Sequence, residues 1–233
     1  MRRELYEDEH EAFRVSVHQF LKRSVIPHVQ AHAEQKSLPR DFWLEAGANG
    51  LLGLEIPEEY GGLGARDYRF NAVASEELNK VNAALGSCWG IHADIAAPYL
   101  VDLGTEEQKQ RWLPGVASGE ILLAIAMTEP SGGSDLAGLR TSAVRDGDTW
   151  VINGSKTFIT NGDSADLVIT AVRTDPAKRA HGITLPQWRA LAEISRNEGM
   201  TQSEIAKRLG ISQMHVSRLL SRSLQRLREV AEE

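Results

Sequence analysis

The chain has 233 residues, 42% hydrophobic and 25% charged, with a formal net charge of −6; this is ordinary globular composition, enough for one large or two small domains, and it excludes a peptide or a disordered tail. The longest wholly apolar run, residues 121–127, is too short to span a membrane, the acidic start over 1–10 lacks the apolar stretch of a signal peptide, and the single cysteine, Cys88, cannot form an internal disulfide. A reduced, cytoplasmic protein with no membrane partner is expected. Charge is uneven: residues 1–185 carry 18 basic against 26 acidic side chains, and 186–233 carry 8 against 6, so the two ends suit different partners.

Residues 4–33 place Phe13, Val17, Phe20 and Leu21 on one side of a helix that Pro27 kinks or ends. A second helix starts at Pro39 and stops at Gly50, and 56–64 reads as a turn-rich loop. A third spans 67–81, with Phe70, Val73, Leu78 and Val81 on its apolar side, and a small-residue segment to Leu103 packs closely against it. Thr105 with Gln108 forms a capping box for one more. The pattern predicts a helical domain over 1–120.

From Glu120 the period changes to short β-branched runs broken by Asp146-Gly147-Asp148, Asn153-Gly154 and Asn161-Gly162, dipeptides that hairpin turns favour. Four or five antiparallel strands are expected over 121–185: 149–152 paired with 157–160, another at 166–173, and a fifth at 182–185 that meets Pro186. A sheet cut short there would leave an open edge that invites oligomers or aggregation. Beyond Pro186 the strand signal gives way to three helices, at 187–197, 201–209 and 212–230. The predicted class is mixed α and β: a helical domain, a truncated antiparallel β-domain and a C-terminal three-helix helix-turn-helix.

The stretch Ala-Met-Thr-Glu-Pro-Ser-Gly-Gly-Ser-Asp-Leu-Ala-Gly at 126–138 is a loop leaving a strand, with amides and hydroxyls free to converge on a phosphate or a flavin edge, although a plain polar glycine turn has the same look. With Pro-Glu-Glu-Tyr-Gly-Gly at 57–62, Gly-Thr-Glu-Glu-Gln-Lys-Gln-Arg-Trp-Leu-Pro at 104–114, Ala-Ser-Gly-Glu at 117–120 and Asn-Gly-Ser-Lys-Thr-Phe-Ile-Thr-Asn-Gly at 153–162, it closely resembles the acyl-CoA dehydrogenase family over about residues 1–185. The resemblance implies an FAD and acyl-CoA site that removes the α-proton and passes the β-hydrogen to the flavin as hydride. It implies that Met127 and Thr128 bond the flavin ring, that Ser134 lies where cofactor and CoA chain meet, and that Phe158, Ile159 and Thr160 flank the isoalloxazine, Phe158 packing on it and Thr160 facing its N5 edge. The family's glutamate base comes from a C-terminal helical domain with no counterpart here, so no base is nominated, turnover is not expected and FAD is expected to bind weakly. Glu129 reads as local structure.

Three other features read as structural. His28 and His32, four apart, form a solvated helix face with no third metal ligand at suitable spacing, Cys88 is a packed thiol, and the Gly61–Gly64 run lacks the βαβ unit of a dinucleotide fingerprint.

Residues 202–219 fit a helix-turn-helix, with Ile205, Leu209, Ile211, Val216 and Leu219 apolar, Ala206 at the helix crossing and Gly210 in the turn. The run 199–220 resembles the promoter-reading C-terminal region of bacterial sigma factors. That implies duplex-DNA contacts by Gln213, His215, Ser217 and Arg218 at base edges, with Lys207 and Arg222 nearer phosphates. A packing or dimerisation module has the same pattern.

Overall fold

A computed structural model describes residues 5–174. These divide into two compact units, one of residues 5–128 with Lys156–Ala171 and the other of Glu129–Ser155 with residues 172–174.

In the first unit, α1 (Asp8–Phe20) opens with Asp8, Glu9 and Glu11 in its first turn, where carboxylates meet the positive end of the helix dipole. The buried His10 accepts from the Glu7 amide at Nδ1 (3.1 Å), so its Nε2–H faces Asp67 (3.3 Å). As Pro27 predicts, the helix does not continue: a π turn (Leu21–Val25) and a 3-10 turn (Ile26–His28) lead into α2 (Val29–Gln35), because proline lacks the N–H that α-helical pairing needs. Helix α3 (Arg40–Ala48) follows Pro39. Helix α4 (Arg69–Val81) starts two residues later than expected, where the Asp67 carboxylate accepts the Arg69 amide and guanidinium.

The small-residue segment forms α5 (Ala83–Trp89), a π turn (Gly90–Ala96) and α6 (Ala97–Leu103), with Asn82 accepting the Ala84 amide at the start of α5. Helix α7 (Glu106–Ser118) carries the predicted Thr105–Gln108 box, both of whose hydrogen bonds form. Helices α3 and α7 meet backbone to backbone: a Cβ at Gly47 would strike the Ser118 carbonyl, and one at Gly119 the Trp43 carbonyl. One buried cluster gathers Phe20, Phe42, Trp43, Leu78, Trp89 and Leu122, and a second gathers Ile56, Leu113, Val116 and Leu123.

Strand β1 (Leu123–Ala126) follows, and it pairs in parallel with β4 (Leu167–Thr170), Leu123 opposite Leu167. The expectation of purely antiparallel strands is corrected here. Four strands are described, in two two-stranded sheets, and the long connection from β1 to β4 is what a parallel pair requires.

The second unit holds the antiparallel hairpin β2 (Ser142–Asp146) and β3 (Thr149–Asn153), joined at Gly147-Asp148 as the turn dipeptide predicts. The partner of β3 is thus β2. The expected strand at 157–160 does not form, because Phe158 (φ 54°) and Asn161 (φ 63°) leave extended geometry and the Thr157 amide is taken by the Thr128 carbonyl. The expected strand at 182–185 and the tail helices lie outside the described residues, as do Lys207, Gln213, His215, Ser217, Arg218 and Arg222.

Candidate functional site

Beyond Ala126 the chain leaves β1 through Met127 and Thr128, and it returns to the same place at 156–161. The Thr157 N–H donates to the Thr128 carbonyl (3.0 Å) and the Lys156 Nζ to the Met127 carbonyl (3.0 Å). These two bonds gather five of the six residues expected at a flavin, Met127, Thr128, Phe158, Ile159 and Thr160, within one unit. Ser134 is exposed in the loop of the other unit.

Phe158 is 91% exposed, with its backbone in the left-handed region that a bulky side chain adopts only at a cost. An uncovered aromatic ring on a constrained backbone suits a flat aromatic ligand laid against it. Ile159 and Thr160 beside it are half-buried.

Three residues on, Asn161 is buried, and its amide donates to the carbonyls of Cys88 (2.9 Å) and Leu123 (3.4 Å). Cys88 is also a wall of a largely apolar cavity of about 250 Å³ that Val25, Val29, Leu38 and Leu85 help to line, with His32 among its polar members. Burial pushes the Cys88 thiol up, and burial with the neighbouring His28 pushes His32 down. The thiol is accordingly protonated and unreactive near neutrality, as the sequence suggests.

The acyl-CoA dehydrogenase N-terminal domain matches residues 7–120 and the acyl-CoA dehydrogenase middle domain residues 124–222. The chain carries the N-terminal and middle domains of this family. It is 44% identical over 185 residues to mouse (Mus musculus) mitochondrial long-chain specific acyl-CoA dehydrogenase, an alignment covering 78% of this chain and 43% of the mouse protein. The acyl-CoA dehydrogenase crystal structure from Geobacillus kaustophilus superposes with a TM-score of 0.73 at 46% identity, over 78% of this chain and 47% of that one. A Mycobacterium smegmatis glutaryl-CoA dehydrogenase in complex with FADH2 gives 0.69 at 32% identity, over 73% and 44%. The chain thus spans less than half the length of these three relatives. The middle-domain match extends over residues that the helix-turn-helix pattern also occupies.

Two further residues of these acyl-CoA dehydrogenase domains hold backbone in place, His92 in the first unit and Glu129 in the second. His92 accepts the Leu123 amide at Nδ1 (3.1 Å) and donates from Nε2 to the Val116 carbonyl (3.1 Å), which fixes its tautomer. Its full burial takes its pKa down to about 4, so the ring is neutral. Nothing in the residue spacing marks His92 out, since its partners are backbone atoms brought in by the fold. Glu129, 5% exposed, accepts the amides of Arg140 (2.7 Å) and Thr141 (2.8 Å) and so closes the 129–141 loop; the signature glutamate is structural.

The His28 and His32 rings lie 6.2 Å apart. The one described cluster of three candidate ligands is Glu7, Glu9 and His10, and both ring nitrogens of His10 are already in hydrogen bonds. No described helix is long and apolar enough to cross a membrane.

Proposed function

We propose that this chain provides the flavin-facing and acyl-holding parts of an FAD-dependent acyl-CoA dehydrogenase. The observation that carries the reading is the Asn161–Cys88 hydrogen bond, which joins the segment bearing the exposed Phe158 to the wall of the apolar cavity. The Phe158 ring provides one face for an isoalloxazine, and the backbone of Met127 and Thr128, held by Lys156 and Thr157, offers its polar edge fixed partners. The Thr160 hydroxyl serves as a donor toward N5. The cavity excludes water from an acyl chain and orients it along α5. FAD, when bound, would accept the β-hydrogen as hydride, one half of the conversion of an acyl-CoA into a 2-enoyl-CoA; the α-proton goes to a base that none of the residues named here supplies. In the family relatives solved with flavin, one holds FADH2 and another FAD. By the resemblance alone, Ser134 is a further proposed contact to cofactor and CoA.

The test is titration of FAD into the purified chain with flavin fluorescence as readout. Saturable quenching that Phe158→Ala weakens and Phe158→Tyr retains supports the reading; absence of quenching in the unaltered chain overturns it.

The tail pattern at 199–220 supports a second proposal, duplex-DNA binding through the residues named above. Its test is salt-dependent binding of the whole chain to duplex DNA. Lys207→Ala is expected to weaken binding to all sequences alike, and Arg218→Ala to erase preference among them.

A further inference from the structure

Asn161 sits at the centre of a small network of hydrogen bonds whose partners are all backbone atoms or His92. Of the three non-glycine residues with positive φ among those described, Lys36, Phe158 and Asn161, two fall within the 157–161 segment. Asparagine tolerates this backbone better than most residues. Its own carbonyl accepts the amides of Ser164 (3.1 Å) and Ala165 (2.8 Å), and the Gly162 amide returns to Ile159 (3.0 Å), so the segment is a closed turn. The side chain reaches out of that turn. One NH2 group has two hydrogens, enough to serve both Cys88, where α5 passes into the π turn, and Leu123 at the head of β1. Leu123 is held from its other side, its amide going to His92, whose Nε2 grips the end of α7 at Val116.

We infer that Asn161 is a positioning residue that sets the acyl-cavity wall against the flavin-facing segment, so that filling the cavity alters the environment of the flavin. It acts through the Cys88 carbonyl and through the turn that carries Phe158. The inference rests on the flavin-and-acyl reading above. A longer or shorter bridge would move Cys88 relative to Phe158. Removal of the bridge would leave each segment intact and uncouple them.

The test uses the full chain with FAD, hexadecanoyl-CoA as the probe, and the variants Asn161→Gly and Asn161→Asp. Glycine accepts the positive φ and keeps the backbone turn while deleting both side-chain bonds. Aspartate keeps the shape and sets a carboxylate against two carbonyl oxygens. The unaltered chain should bind FAD and show a shift of the visible flavin band on addition of hexadecanoyl-CoA. Asn161→Gly, melting cooperatively by circular dichroism, should bind FAD within a few-fold of the unaltered chain and lose the acyl-induced shift. Asn161→Asp should raise the FAD dissociation constant about tenfold, the equivalent of ~1.4 kcal/mol. A full acyl-induced shift in Asn161→Gly overturns this inference alone; failure of the unaltered chain to bind FAD overturns the flavin reading and this inference with it.

Discussion

In the helical unit the largest of the fully buried side chains, Trp43, Trp89 and Phe20, are each 1% exposed, whereas in the β2–β3 hairpin Trp150 and Ile152 are each 53% exposed and Val144 60%. Both regions follow their local signals closely. The α7 capping box forms as written, and so does the turn at Gly147-Asp148. The difference lies in what surrounds them. Helices α1, α3, α4 and α5 bring apolar stripes from distant parts of the chain into one cluster, and removal of that area from water is the main stabilising term. The hairpin is drawn by its turn and its register, and among the described residues its apolar side chains stay largely in solvent. Turn chemistry can specify a shape without stabilising it.

The largest expected effect sharpens that contrast. Trp89→Ala should destabilise the chain by roughly 3–5 kcal/mol, since it opens a cavity and strips the Leu51 carbonyl of its indole donor. Trp150→Ala should change stability by no more than about 0.5 kcal/mol. Urea unfolding followed by circular dichroism measures both, and comparable losses would break the comparison by showing that the hairpin is covered after all.

His92 gives the next effect. Its folded pKa of about 4 lies below the ordinary value near 6.5, so the unfolded chain binds more protons between those limits and stability rises with pH there. Its contribution is complete above the unfolded value and is lost as pH falls from about 6.5 to about 4, some 3 kcal/mol in all by the same linkage. Asp67, held near 2 by Arg69, loses its contribution only at lower pH. Urea midpoints measured across pH 7 to 4 should therefore drop in the unaltered chain and flatten in His92→Gln, which keeps an acceptor and a donor without titrating. An equally steep drop in the variant would remove His92 from the account.

A smaller loss than those at Trp89 and His92 belongs to the second unit. Glu129→Gln replaces an acceptor for two amides with one acceptor and one opposed donor, at a cost of roughly 1–3 kcal/mol. Hydrogen exchange at the Arg140 and Thr141 amides should accelerate, with the Trp89 region unchanged. Unaltered exchange at those amides would mean that other contacts hold the loop.

Much of the helical unit was legible because its signals are local. Phe13, Val17, Phe20 and Leu21 share a face whatever the rest of the chain does, and in the structure Val17, Phe20 and Leu21 are buried while Phe13 packs against them. Pro27 interrupts the helix by its own chemistry, and Met127, Thr128, Phe158, Ile159 and Thr160, the residues that the resemblance proposes for a flavin, lie in one unit. The strands were less legible. Alternation at 149–153 marks a strand and says nothing about its partner, so the sequence suits a pairing with 157–160 as well as the one its hydrogen bonds make, with β2. The apolar run at 123–126 likewise carries no sign that its neighbour is parallel and some forty residues away.

The amino-acid sequence by itself determined the caps, the proline break, the hairpin turn and the apolar face of each helix, because each depends on interactions within a few residues. It also held the signature that relates the chain to acyl-CoA dehydrogenases. Tertiary structure alone decided the parallel β1–β4 pairing, the neutral His92 and its fixed tautomer, the backbone grip of Glu129, and the reach of Asn161 from the Phe158 segment to the wall of the cavity. These depend on backbone carbonyls and amides, which every residue carries alike, and only the folded chain selects which of them a given side chain meets.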